Sequence, residues 1–281
     1  MAGTSITGCR DRDKGPLWAP NTQETIQESR YLPMNPKQPD EIEKIRQANK
    51  IVACILEELK GIIRPGVTTK ELDAFVEDRI RGQGGEPAFL GYRGYPASTC
   101  ISINEQVVHG IPGTRRIRDG DIVSVDIGSL YLGYYGDAAY TYPVGRVRPK
   151  AMRLLKVTEE ALYKGIDAAR VGNRLYDISR AIQTWVERHG FSVVREFVGH
   201  GVGRSLHEDP QVPNYVPKSP INPVLEPGMV LALEPMVNMG GHHVKVLPDG
   251  WTAVTADGSL SAHFEHSIAV TENGPDILSV C

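Results

Sequence analysis

The sequence predicts an α+β fold made of two related halves, each combining amphipathic helices with antiparallel strands. Three observations carry this. Apolar residues recur at spacings of three, four and seven in some stretches, which marks helices with one buried face. Other stretches alternate or run apolar over a strand's length. Glycine-bounded segments of both kinds also repeat along the chain. Gly66, Leu72, Val76, Ile80 and Gly84 recur as Gly172, Ile178, Ile182, Val186 and Gly190, an offset of 106. Gly120 to Asp126 (Gly-Asp-Ile-Val-Ser-Val-Asp) parallels Gly228 to Glu234 (Gly-Met-Val-Leu-Ala-Leu-Glu) at an offset of 108. Matches of both kinds at nearly one offset point to a duplication. Asp126 and Glu234 then occupy symmetric places, with a site between the halves.

The elements follow in order. Residues 1–39 are polar and lack periodicity, and read as a flexible extension ahead of one main domain over 40–281. Pro33, Pro36 and Pro39 stand at the three-residue repeat of a polyproline II helix. That strip reads as a stiff spacer or as a docking strip for a groove. Asp40, with Glu43 three residues on, predicts a capped helix start. Its apolar face is Ile42, Ile45, Val52, Ile55, Leu59 and Ile62, and Pro65-Gly66 ends it. A second helix spans Thr69 to Arg81. Strands are predicted at Ile122–Ile127, Ala138–Val144, Met229–Leu233 and His263–Val270, and the proline-rich 210–227 stretch reads as loop.

Composition sets limits on function. The chain has 281 residues, of which 41% are hydrophobic and 23% charged, as in an ordinary globular protein. Its net charge of -3 gives no global attraction to nucleic acid or anionic membrane. No apolar run reaches the roughly 18 residues of a membrane span, and the first 30 residues lack the apolar core of a secretory signal. The expectation is a cytoplasmic protein. Cys9, Cys54, Cys100 and Cys281 are too few and too scattered for a disulfide framework, and no C-x-x-C occurs.

Chemistry concentrates in acidic residues at strand positions. Asp126 and Asp137 are separated by Gly128, Gly133 and Gly136. A fold-back at Tyr131-Leu132 sets the two carboxylates directly opposite each other on neighbouring strands. Two opposed, half-buried carboxylates are destabilising without a cation or a shared proton. Glu234 closes an apolar strand and Glu265 sits in another, while His200 is flanked by Gly199 and Gly201. Four carboxylates and one imidazole match two divalent ions of the manganese, iron, cobalt or zinc group. They do not match a sulfur-rich structural zinc site. His109 and His207 stand beside turns and are candidates for contacting a scissile amide or its oxyanion.

Together these residues resemble the type I methionine aminopeptidases of the pita-bread fold, in an extended bacterial form. The resemblance runs from about Asp40 to Ile277. It rests on Gly91 to Pro96 (Gly-Tyr-Arg-Gly-Tyr-Pro), Ser102 to Glu105, His109 to Pro112, Asp126 to Gly128 and Gly136-Asp137. In the second half it rests on Gly199 to Arg204, His207 to Pro210, Glu234-Pro235 and Phe264 to His266. It implies a curved antiparallel sheet covered by helices, and removal of the N-terminal methionine from nascent chains whose second residue is small. It implies that Asp137, His200, Glu234 and Glu265 hold one metal, and that Asp126, with Asp137 and Glu265 bridging, holds the other. Glu234 is then also the general base, His207 stabilises the tetrahedral intermediate, and His109 contacts the scissile amide. The substrate's free amino group binds the second metal.

The implied methionine pocket comprises Tyr92, Tyr95, Cys100, Trp251, Phe89 and Leu206, soft walls that suit a thioether. Phe89 stands where cysteine is common in the family, Leu206 where phenylalanine is, and His263 where glutamine is. His263, two residues before Glu265, is expected on the same strand face as a partner of that ligand or as a wall residue. Glu234 and Glu265 are 31 positions apart, which leaves no room for the long insertion of type II enzymes. Two rivals remain. Prolidases and aminopeptidases P share the five ligands but carry a large N-terminal domain, which 39 residues cannot form. A non-enzymatic binding module of the same fold has lost ligands, whereas all are present here. The function implies contact with the ribosome, and Arg115, Arg116 and Arg118 read as a solvated loop beside that role. A monomer is expected.

Overall fold

The computed structural model describes residues 36–281. The readings made on residues 1–35, Pro33 included, lie outside the described residues. The first half holds α1 (Pro39–Leu59), α2 (Thr69–Gly82), β1 (Glu86–Pro87), β2 (Thr99–Ile103), β3 (Ile122–Tyr131) and β4 (Tyr134–Pro143). The second opens with α3 (Pro149–Ala168), α4 (Leu175–Arg188), β5 (Ser192–Val193), β6 (Gly199–Gly201), β7 (Glu208–Val212) and β8 (Val230–Leu233). It closes with β9 (Met236–Asn238), β10 (Val244–Val246), β11 (Ala253–Thr255), β12 (Ser261–His263), β13 (Glu265–Thr271) and β14 (Gly274–Ile277). No helix among the described residues is long and apolar enough to cross a membrane.

Nine strands form one curled antiparallel sheet in the order β1-β3-β4-β13-β8-β6-β7, with β2 on β3 and β14 on β13. The β4–β13 pair joins the two halves. The duplication extends to backbone geometry. Helices α2 and α4 are both 14 residues long. Leu72, Val76 and Ile80 are fully buried, as are Ile178, Ile182 and Val186. The matched glycines share positive φ: 96° and 87° at Gly66 and Gly172, 90° and 87° at Gly120 and Gly228. Glycine tolerates that conformation without a Cβ penalty. Each half packs its helices on its own apolar cluster, and Tyr140 touches both clusters.

Helix α1 starts at Pro39 rather than behind an Asp40 cap. Gln38 is the N-cap residue, and its backbone N–H donates to the Glu41 carboxylate at 2.9 Å. Proline suits the first helical position because it has no N–H to satisfy and its φ is preset. The helix ends at Leu59, before Pro65-Gly66. Thr68 is the N-cap of α2 and forms a capping box with Glu71, whose N–H its hydroxyl accepts at 3.2 Å.

Two further expectations need correction. The β3–β4 turn is centred on Leu132 and Gly133, with φ of 51° and 77°, and Tyr131 pairs with Tyr134. Gly133 supplies the second positive φ that a two-residue hairpin turn of this hand requires. Moving the turn by one residue slides the pairing by two, so Asp126 faces Ala139 and Asp137 faces Gly128. The aspartates are diagonal neighbours, not directly opposed. The cysteines also do pair: Cys54 on α1 and Cys281 form a disulfide with a Cα–Cα distance of 5.0 Å. A separation of 227 residues hides such a contact in sequence, because tertiary packing of α1 near the chain end creates it. The Arg46–Asp276 ion pair at 2.6 Å joins the same two regions.

Helix α1 lies directly on β4 at a glycine. A Cβ on Gly136 would sit 2.5 Å from the backbone of Ala48 and Asn49. Gly136→Ala is therefore expected to cost about 2–3 kcal/mol through overpacking. A urea melt should show it as a lowered midpoint, and an unchanged midpoint would contradict the close approach.

Candidate active site

The strand registers arrange the acidic residues in two parallel rows across the sheet. In one row, Asp126 on β3 faces Ala139 on β4, which faces Glu265 on β13. Continuing the His266–Leu233 pairing sets Glu234, just past β8, opposite Glu265. In the other row, two residues along each strand, lie Gly128, Asp137, Ser267, Ala232 and His200. Side chains at i and i+2 share a face, and cross-strand partners share it too. All five donors therefore project to one side, and small residues between them leave the space open. The rows cross the β4–β13 seam, so the site lies between the duplicated halves.

Hydrogen bonds fix the donors from behind. The backbone N–H of Asp137 donates to Asn49 of α1 at 3.1 Å, and its carbonyl accepts from the Ser267 hydroxyl at 2.8 Å. His200 Nδ1 is 2.8 Å from the Gly201 carbonyl. A carbonyl only accepts, so Nδ1 carries the proton and Nε2 presents a lone pair. That Nε2 lies 3.6 Å from Glu234 Oε1 and 3.8 Å from Asp137 Oδ2. Asp137, His200 and Glu265 are buried and offer ligand atoms within 4.8 Å of one another.

The electrostatics call for cations. Burial raises the Asp126 carboxyl to about 7. Asp137, Glu234 and Glu265 are driven well above the usual carboxylate range, by burial first and then by neighbouring negative charge. Burial lowers His200 to about 4, so its imidazole is neutral near pH 7. Asp126 Oδ1, Asp137 Oδ1 and Glu265 Oε1 are buried without a hydrogen-bond partner. Orphaned carboxylate oxygens of this kind are costly unless a cation pairs with them. The donor set fits divalent metal ions of oxygen and nitrogen preference.

A cavity of about 520 Å³ opens over these rows. The five proposed metal ligands, both histidines and the six pocket residues all line it: Asp126, Asp137, His200, Glu234, Glu265, His109, His207, Phe89, Tyr92, Tyr95, Cys100, Leu206 and Trp251. The last six form one apolar cluster. Tyr95 packs edge-on to Trp251 at 5.0 Å, and its hydroxyl donates to the carbonyls of Thr99 or Gly110, each 3.0 Å away. Phe89 fits because position 128 is glycine: a Cβ there would lie 2.5 Å from its ring. His207 reaches Tyr92 Oη at 2.8 Å through Nδ1, and its ring lies 4.2 Å from that of His200. The His109 ring meets Phe197 at 5.3 Å and Trp251 at 6.3 Å, both edge to face.

His263 is placed differently from expectation. It ends β12, which pairs with β9 in a separate three-stranded sheet, and β13 begins beyond Phe264. Its Nε2 lies 3.8 Å from Glu234 Oε2, so its neighbour is Glu234 rather than Glu265. The break at Phe264 removes the shared strand face that two-residue spacing implied. The sequence reading also missed Arg195, Phe197 and Tyr215, which line the cavity. They follow no motif, and only the fold of the 195–215 stretch brings them there.

A buried carboxylate and imidazole cluster at the seam of a duplicated α+β sheet, beneath a pocket, has the make-up of a metal-dependent enzyme site. The chain belongs to metallopeptidase family M24, whose sequence profile matches residues 43–272. Among its relatives, methionine aminopeptidase 1 of Bacillus subtilis strain 168 is 57% identical over 243 residues, which cover 86% of this chain and 98% of that protein. The crystal structure of methionine aminopeptidase from Thermotoga maritima is similar with a TM-score of 0.85 and 50% identity, covering 88% of this chain and 100% of that one. The prolidase from Pyrococcus horikoshii OT3 is also similar, with a TM-score of 0.72 and 26% identity, and this chain covers 63% of it.

Proposed function

We propose that this metallopeptidase removes the N-terminal methionine from polypeptides whose second residue is small. One observation carries the reading: a single cavity combines five side chains suited to hold metal, two further histidines and an apolar, aromatic-walled pocket. The relatives named methionine aminopeptidase match nearly their whole length, which supports it further. The Pyrococcus prolidase extends well beyond the matched region.

Asp137, His200, Glu234 and Glu265 would hold one divalent cation, and Asp126 with Asp137 and Glu265 the second. Two such ions, of the manganese, iron, cobalt or zinc group, supply Lewis acidity toward water and the scissile carbonyl. The residues of the chain do the rest. Glu234 reaches into the cavity from the end of β8 and accepts the proton of the attacking water. It then returns that proton to the departing amine. His207, held by Tyr92, donates a hydrogen bond from Nε2 to the oxygen that gains charge in the transition state. His109 contacts the scissile amide. Phe89, Tyr92, Tyr95, Cys100, Leu206 and Trp251 enclose the methionine side chain. Nascent chains are the natural substrates, met at the ribosome by a monomeric enzyme.

His207→Ala should lower kcat by about a hundredfold while KM moves only a few-fold, because the lost contact strengthens in the transition state. Steady-state assays on a Met-Ala-Ser peptide check this, and an unchanged kcat removes His207 from the mechanism. The functional reading itself is tested by offering Met-Ala-Ser and an Xaa-Pro peptide to the same metal-supplemented protein. Preferential cleavage of Met-Ala-Ser is expected; preference for Xaa-Pro would replace the reading with a prolidase-like one.

A further inference from the structure

The segment just before α1 is fastened to the loop that carries two cavity residues. Lys37 is 7% exposed, unusual for a lysine. Its ammonium donates to Glu208 Oε2 at 2.6 Å, and its backbone N–H donates to the Gly228 carbonyl at 2.7 Å. The second oxygen of Glu208 accepts the Ser205 N–H at 3.0 Å. Glu208 thus spans Lys37 on one side and the start of the Ser205-Leu206-His207 run on the other.

Two glycines keep this path clear. A Cβ on Gly203 would collide with the Lys37 side chain and lie 2.9 Å from Glu208 Oε1. A Cβ on Gly228 would lie 2.8 Å from the Lys37 carbonyl oxygen and 3.1 Å from Pro36 Cβ. One turn further on, Glu41 accepts from Arg204 at 3.1 Å and from the Tyr134 hydroxyl at 3.0 Å. The Gly203 carbonyl accepts the Tyr135 N–H at 2.8 Å. The 203–208 loop is therefore braced from one side by residues 37–41 and from the other by β4. Its cargo is Leu206, a wall of the apolar pocket, and His207, whose ring lies between Tyr92 and His200.

We infer that Lys37 is a positioning residue: through its buried ion pair with Glu208 it sets the 203–208 loop, and so the placement of His207 and Leu206. The inference rests on the proposed aminopeptidase function. A buried ion pair contributes little net stability, because desolvation offsets the attraction. It does hold two chain segments in one geometry, and small displacements of a catalytic group are costly to rate.

The test uses the full chain with Mn²⁺, assaying Met-Ala-Ser cleavage by Lys37→Met, Lys37→Arg and the charge-removing double variant Lys37→Met/Glu208→Gln. Each is made with His207 intact and in the His207→Ala background. Thermal melts and Mn²⁺ titration accompany each variant. With His207 present, Lys37→Met and the double variant should each lose about tenfold in kcat with Mn²⁺ affinity retained, and Lys37→Arg should recover most of it. In the His207→Ala background the same changes should have little further effect, since coupled residues are not additive. Equal losses in both backgrounds, or wild-type kcat in the double variant, would overturn the inference. The double variant removes both charges of the Lys37–Glu208 pair and serves if Lys37→Met fails to fold. Wild-type protein that releases no methionine would sink the functional reading instead.

Discussion

Glu234→Gln should abolish turnover while leaving the protein folded, with kcat falling by about a thousandfold or more. Glutamine has the same shape as glutamate and keeps an acceptor oxygen, but it cannot take a proton from water. Glu234 stands at the end of β8, with its two oxygens 3.6 Å from His200 Nε2 and 3.8 Å from His263 Nε2. The folded state has no reason to suffer. In metal-free protein the change replaces a buried acid whose ionisation is disfavoured by burial and neighbouring carboxylates, so metal-free Glu234→Gln should melt at or above metal-free wild type. Cleavage assays and melting curves on the same preparation check both halves. Substantial residual turnover would place the base elsewhere.

Asp137→Asn should lose tight metal binding and, with it, activity. Asp137 is a proposed ligand of both ions. It is diagonal to Asp126 on one side and to Glu265 on the other, and its Oδ1 is a buried, unpartnered oxygen. An amide in that place ligates a cation far less well than a carboxylate. The backbone contacts that hold β4 here, to Asn49 and Ser267, do not involve the side chain and survive the change. Calorimetric titration with Mn²⁺ should show binding in wild type and a loss of at least about tenfold in affinity in the variant. A variant that binds metal as wild type does would remove Asp137 from the ligand set.

Much of this was legible in the sequence, for physical reasons. The repeat of glycine and aliphatic positions in α2 and α4 is visible because each glycine serves a positive-φ turn and each aliphatic a fully buried face. The site residues stood out because acids at strand positions amid apolar neighbours have few structural explanations. What escaped was set by tertiary packing or by fine register. The diagonal rather than opposed placement of Asp126 and Asp137 turned on one residue of a hairpin turn. The Cys54–Cys281 pair joins distant ends, and His263 left its expected face because the strand breaks at Phe264. Phe197 and Lys37 carry no motif; one is brought beside His109 by its loop, and the other is buried only because Gly203 and Gly228 admit it.

The most direct test of the central claim follows free methionine released from Met-Ala-Ser as metal-free protein is titrated with Mn²⁺. The two-row site predicts negligible release without metal, a rise as ions are added, and no further gain once two equivalents are bound. Release at full rate from metal-free protein, or none at any metal concentration, would contradict it.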